Sequence, residues 1–332
     1  MYSLLIAVAV GGNLAVCYII LSSRKMRGMI TNLFLLNLAF SDVVKAVICN
    51  PFTFVANLIL MYWPFGAFMC PLVTYIQVVA VFFSAFTLVV MSLDRYVAVM
   101  YPLKPKLTKK QARYLIVLVW ILAFIVPVPT AIMSKISFSN LTYHPSAKGQ
   151  CLEVWDPPSR KYIYSIVVML LQYFLPLLVL VYTNCRIGYV VWIKKTPGEA
   201  EEERDQRLAA SKRRLIKMII IVVTIYAVCW LPLHVVTLIG DQDPTIFDSD
   251  YMVYLWMCFH WLAMSHSCYN PFVYFWINPH FREGIKKLFF ICKFQNTKKS
   301  DYKMARYSDC NSFQMTDVNI YKYEGPEKLT YH

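Results

Sequence analysis

The sequence predicts an all-α membrane protein, a seven-transmembrane helix bundle with an amphipathic helix after span seven. Three observations carry this expectation. Of 332 residues, 58% are hydrophobic and only 16% charged, which is more apolar than soluble domains usually are. Seven stretches reach the roughly 20 mainly apolar residues needed to cross a hydrocarbon core. Lys and Arg also concentrate in alternate short connections, the pattern of loops retained on the cytoplasmic side.

Taken in order, the expected spans run Tyr2 to Leu21, Asn32 to Met61, Phe68 to Val99, Tyr114 to Met133, Tyr162 to Val191, Leu215 to Ile239 and Tyr251 to Ile277. The first begins almost at Met1, so either the sequence is truncated upstream or an amino-terminal segment is lacking. That span can itself direct insertion and is too long for a cleaved leader. Arg24, Lys25 and Arg27 follow it, Lys104, Lys106, Lys109 and Lys110 follow the third, and Lys194, Lys195, Lys212, Arg213 and Arg214 flank the connection between the fifth and sixth. These loops are expected inside, which puts the amino terminus outside and the carboxyl terminus in the cytoplasm. The connection after the sixth span holds Asp241, Asp243, Asp248 and Asp250 with no basic residue. Such an outer rim attracts a cationic ligand.

The formal net charge of +14 sits in membrane-flanking loops and the tail rather than on one soluble face, so nucleic-acid binding is not expected. Past Asn278, Phe281, Ile285, Leu288 and Phe289 recur at helical spacing with Arg282, Lys286 and Lys287 between them, the pattern of a helix lying on membrane lipid. Cys292 follows as a palmitoylation candidate or an unmodified interfacial thiol. Residues 1–292 are thus read as the bundle and 293–332 as a disordered cytoplasmic tail.

Most of the ten cysteines lie inside spans as small apolar side chains. Cys70 and Cys151 stand apart on the expected outer side, where a disulfide persists. Joined, they fold the loop between spans four and five over the bundle mouth as a lid; the alternative is two unpaired thiols. Asn140-Leu141-Thr142 in that loop is a glycosylation sequon.

Polar groups within spans must face the interior and find partners. Asn13, Asp42, Ser84, Asn270 and Tyr274 form that set, and Pro176, Pro232 and Pro271 each weaken a helix locally. Gln77 and Arg95 are eighteen positions apart on span three, five full turns, so both face one side about 27 Å apart. Trp230, His234 and Asp241 are spaced to project from one face of span six.

Gly12-Asn13, Leu38 to Asp42, Trp63-Pro64-Phe65-Gly66, Asp94-Arg95-Tyr96, Trp120, Pro176, Cys229-Trp230-Leu231-Pro232 and Asn270 to Tyr274 occur in the order in which they stand in rhodopsin-like G protein-coupled receptors, which this chain resembles from Gly12 to about Cys292. The resemblance implies guanine-nucleotide exchange on a heterotrimeric G protein, with Arg95 entering the partner interface, Trp230 moving beneath the ligand, and tail Ser300, Ser308, Ser312 and Thr316 as phosphorylation candidates for arrestin. Two finer stretches, Pro197 to Arg214 and Phe259 to His266, resemble invertebrate RYamide receptors, relatives of the neuropeptide Y receptors. That group implies an amidated peptide ending in Arg and an aromatic residue, with the arginine received at Asp241 and Gln77, Thr53 and His260 lining the pocket. Asp243 competes with Asp241 for the role, and tachykinin-like or RFamide peptides are the alternative ligands.

Three positions depart from the family pattern. Lys45 follows Asp42 by three residues, on nearly the same helix face; the expectation is that its ammonium takes the place of a sodium ion at Asp42, the alternative that it points elsewhere. Lys212 stands where some relatives carry an acid that latches Arg95, leaving Asp94 alone to restrain it. Asn184 replaces a usual tyrosine. No cofactor is implied: span seven has no lysine for a Schiff base. A membrane enzyme lacks a catalytic cluster here, and a transporter lacks the internal repeat.

Overall fold

A computed structural model describes residues 1–101, 103–105, 107–138, 149–190 and 203–288, without the side chains of 203–212, 215, 244, 248 and 250. Asn140, Cys292 and the tail lie outside the described residues, as does the Lys212 side chain. Residues Met1–Phe281 form one compact unit, and 279–288 are helical.

Span one is Tyr2–Ser22, span two Ile30–Leu60, span three Gly66–Met100, span four Lys109–Met133, span five Ser159–Gly188, span six Glu203–Gln242 and span seven Asp250–Ile277. Apolar length and composition suffice for membrane crossing in the first six, Ile216–Gln242 being the apolar part of span six. Span seven has 28 residues, about 42 Å of helix and ample for the bilayer. Its apolar sequence is interrupted by His260, Ser265, His266, Ser267 and Asn270, all buried against protein.

Several bounds differ from those read off hydropathy, for local reasons. Span six starts at Glu203 rather than Leu215 because a helix continues through polar residues that hydropathy ignores. Span four begins at Lys109 because Thr108 and Gln111 make a capping box, each side chain bonding the other's backbone N–H. It breaks at Val126-Pro127 before resuming at Val128–Met133. Span two contains two π-helical turns, Lys45–Cys49 and Val55–Leu60, on either side of Asn50–Phe54. Span five has another at Leu170–Phe174, just before Pro176; the prolines explain only part of this, since a π-turn is a one-residue insertion that periodicity blurs.

Span three is the hub, packing against spans two, four and five. Val79, Phe82 and Phe83 meet Val119 and Ala123 of span four, and the Trp120 indole donates to Asn37 Oδ1 at 3.2 Å. Spans one and seven approach closely at Gly12: a Cβ there would lie 2.9 Å from Pro271 Cγ, so only hydrogen fits without a shift. Beside the Trp63-Pro64-Phe65-Gly66 turn, Gly66 takes φ +83°, a region that favours glycine.

The loop between spans four and five forms an antiparallel hairpin, β1 Ser134–Ser137 and β2 Gln150–Glu153, with Ile136 opposite Cys151. The Cys70–Cys151 disulfide fastens β2 to the start of span three. Trp63 N–H donates to Gly149 C=O at 2.9 Å, tying the turn after span two to the same hairpin. One end of the bundle is therefore covered by β structure; the other carries Arg95.

Candidate functional site

Near the hairpin, four helices meet in a hydrogen-bond chain. Thr53 Oγ1 donates to Gln77 Oε1 at 3.4 Å, and Gln77 Nε2 lies 3.1 Å from His260 Nε2. His260 Nδ1 is 3.0 Å from the Tyr2 hydroxyl, which itself donates to the Met257 carbonyl at 3.1 Å. The directions follow from the ends. A carbonyl only accepts, so Tyr2 spends its proton there and accepts from His260 Nδ1–H; Nε2 is then bare and accepts from the Gln77 amide. Thr53, Gln77 and His260 are thus brought together, and Tyr2 joins them. No local spacing points to Tyr2, which is 258 residues from its histidine partner.

Span six supplies the second part. The His234 ring lies 5.2 Å from Tyr173 of span five and 5.9 Å from Trp230, and Trp230 also meets Tyr226 at 6.1 Å. Above them Asp241 is only 3% exposed in its side chain, with Oδ1 2.7 Å from Lys161 Nζ and Oδ2 accepting from Ser165 Oγ at 2.5 Å. The carboxylate already holds a cation of the chain itself, a partner that reading the rim as purely acidic had missed. The available signal was Arg160-Lys161, a basic pair at the start of span five. Asp243 instead accepts from Thr245 N–H and hydroxyl as the cap of the 3-10 turn Pro244–Asp248. Both aspartates are thus engaged within the chain, Asp241 through both carboxylate oxygens to span five and Asp243 through Oδ1 to its own turn.

Glu153 of β2 borders this group and accepts from Trp155 Nε1 at 3.0 Å. Burial raises its carboxyl above the ordinary value, against the Trp155 hydrogen bond and the attraction of Lys161, while Asp241 adds repulsion.

Deeper, Lys45 Nζ lies 2.7 Å from Asp42 Oδ1, with the two side chains 1% and 0% exposed. The ammonium also donates to Ser84 Oγ at 3.2 Å. Asp42 accepts in addition from Ser267 Oγ at 3.0 Å and Asn270 Nδ2 at 2.8 Å. Asn13 Nδ2 donates to the Ala9 and Ser267 carbonyls, linking span one to the same seam. Ser267 was not singled out from the sequence, because one serine in an apolar helix looks ordinary. Asn184 turns its amide back to the Leu180 carbonyl at 2.7 Å.

At the opposite end Arg95 is bonded through Nε (3.0 Å) and Nη2 to Asp94 Oδ2. Tyr96 lies 6.1 Å from the Tyr182 ring, and Tyr274 packs on Phe281 at 5.9 Å. A cavity of about 840 Å³ opens here, lined among others by Asp94, Arg95, Arg214, Met218 and Asn278.

Residues 12–274 match the family described as 7 transmembrane receptor (rhodopsin family). The RYamide receptor of Tribolium castaneum is 44% identical over 291 residues, 86% of this chain and 78% of that protein. The RYamide receptor of Drosophila melanogaster is 43% identical over 279 residues, 83% of this chain and 60% of that protein. The Tachykinin-like peptides receptor 99D of Drosophila melanogaster is 35% identical over 298 residues, 87% of this chain and 56% of that protein. The chain therefore spans under two thirds of the length of two of these three relatives.

Proposed function

The chain belongs to the rhodopsin family of seven-transmembrane receptors, and from that premise we propose that it is a plasma-membrane G protein-coupled receptor for an amidated neuropeptide of the RYamide type. It is a receptor and not an enzyme. The hairpin end faces outside with the amino terminus, and the Arg95 end and tail face the cytoplasm, in keeping with the basic loops.

The observation that carries the ligand assignment is Asp241: a rim carboxylate almost wholly removed from water and engaged at both oxygens. A guanidinium suits such a group, because its planar fork bonds two carboxylate oxygens at once. The peptide's arginine binds Asp241, and its terminal carboxamide, donor and acceptor together, bonds Gln77, with Thr53 and His260 holding that side chain. Trp230 and His234 lie beneath the aromatic residue. Inside, release of Arg95 from Asp94 opens its guanidinium to the G protein in the cavity, with Asn270, Pro271 and Tyr274 as the hinge of span seven. With lysine at 212, Asp94 is the acidic restraint on Arg95 among the described residues. Arrestin and membrane lipid are the further partners, and the neuropeptide Y receptors are the wider kin.

The test is guanine-nucleotide exchange on membranes carrying the receptor, with amidated peptides ending Arg-Tyr or Arg-Phe and the Arg-Tyr free acid. Faster exchange with the amides that disappears on de-amidation is the expected result. A response to the free acid of equal potency overturns the carboxamide assignment. A response only to tachykinin-like peptides supports the second reading, which the similarity to receptor 99D favours.

A further inference from the structure

Lys161 and Ser165 are four residues apart on span five, one turn, and so present their side chains on one face. Lys161 Nζ takes Asp241 Oδ1 at 2.7 Å and Ser165 Oγ takes Oδ2 at 2.5 Å. Two donors one helical turn apart thus cover the two oxygens that a bidentate guanidinium would cover. With the Asp241 side chain 3% exposed, no external cation reaches it while both stay. The two partners differ in freedom. Lys161 is 39% exposed, so its ammonium can leave into water, and Glu153 nearby attracts it. Flanking the pair, Gln242 Nε2 donates to the Tyr162 hydroxyl at 2.8 Å, a second bridge between the same two helix ends.

We infer that Lys161, seconded by Ser165, is a resident stand-in for the ligand's guanidinium, and that a peptide reaches Asp241 only by displacing it. This rests on Asp241 being the arginine site and adds a determinant of affinity: the peptide competes with a cation of the receptor itself. The apparent affinity is reduced by the fraction of receptor in which Asp241 is free. A guanidinium prevails because it fills both oxygens at once, whereas the resident pair needs two side chains held in place.

The test is competition binding on membranes of cells expressing the whole chain, with a peptide ending in Arg-Tyr-amide and the same peptide with neutral citrulline for arginine. Lys161→Met is expected to raise affinity for the arginine peptide about tenfold, if the lysine holds Asp241 in roughly nine receptors of ten. Citrulline-peptide affinity stays within about twofold, and Lys161→Arg, which keeps a cation on Asp241, shows no gain. Lys161→Gln serves if the methionine variant fails to reach the surface. In an Asp241→Asn background the gain disappears. If Asp241→Asn weakens the arginine peptide while neither neutral variant at 161 strengthens it, the competition is wrong and the arginine site stands. If Asp241→Asn leaves the arginine peptide unaffected, the site itself is wrong. Equal changes for both peptides mean a structural role for Lys161 and overturn the inference.

Discussion

Two lysine–aspartate pairs in this receptor have the same 2.7 Å separation and different surroundings. Lys45–Asp42 joins positions three apart on one span and is closed off from solvent. Lys161–Asp241 joins two helix ends, with the lysine well exposed. Equal distance therefore says little about what each pair does. In the interior, removing either partner strands a charge in a medium that cannot solvate it, so the pair holds itself together by the penalty for separation. At the rim only the lysine reaches water while the carboxylate stays buried, so its ammonium is exchanged for another cation rather than simply lost.

The largest expected effect is on the interior pair. Lys45→Met should destabilise the fold by about 3 to 5 kcal/mol, and adding Asp42→Asn should recover most of that loss. Thermal unfolding of detergent-solubilised single and double variants reads it; additive losses would place Lys45 and Asp42 outside a coupled pair.

At the rim the consequences move from stability to recognition. Asp241→Ala should cost about 2 to 5 kcal/mol of affinity for an arginine-bearing peptide, while shifting stability by less than about 1 kcal/mol. Saturation binding beside a melting curve separates the two, and a large stability loss without an affinity loss would erase the contrast.

A smaller effect concerns Glu153. Its carboxyl is raised by burial, so the folded state holds a proton more tightly than the unfolded chain does. Stability from this group is present at low pH and lost as pH rises through the folded value. Glu153→Gln, which resembles the protonated acid, should flatten that slope. Melting temperatures across mildly acidic to neutral pH check it, and an unchanged slope would assign the proton to another group.

The least effect is expected from salt identity. With an ammonium already on Asp42, replacing sodium by potassium should alter agonist affinity by less than about twofold, since no site is left for a second cation beside it. Binding in matched sodium and potassium buffers decides this; a sodium-selective fall would mean that Lys45 leaves Asp42.

The same contrast explains what a linear reading reaches. Helices long enough to span, the hairpin's cysteine bridge and a lysine three residues from an aspartate are local or chemically singular, so spacing and residue type suffice. Lys161 lies eighty positions before Asp241, and nothing in either neighbourhood signals the other until helices five and six are packed. Tyr2 and His260 are similarly remote. The π-turns escape for another reason: one extra residue in a turn leaves an apolar sequence still apolar.

The chain of bonds from Thr53 to the Met257 carbonyl runs one way only. Because its last member can never give a proton back, the orientation of a glutamine in the third helix is dictated from the first, and a guest meeting that amide finds its oxygen and its nitrogen already assigned. An amide can answer both faces where a carboxylate can answer one, so under the proposed ligand reading a preference for capped peptide ends traces back to a tyrosine in the first helix.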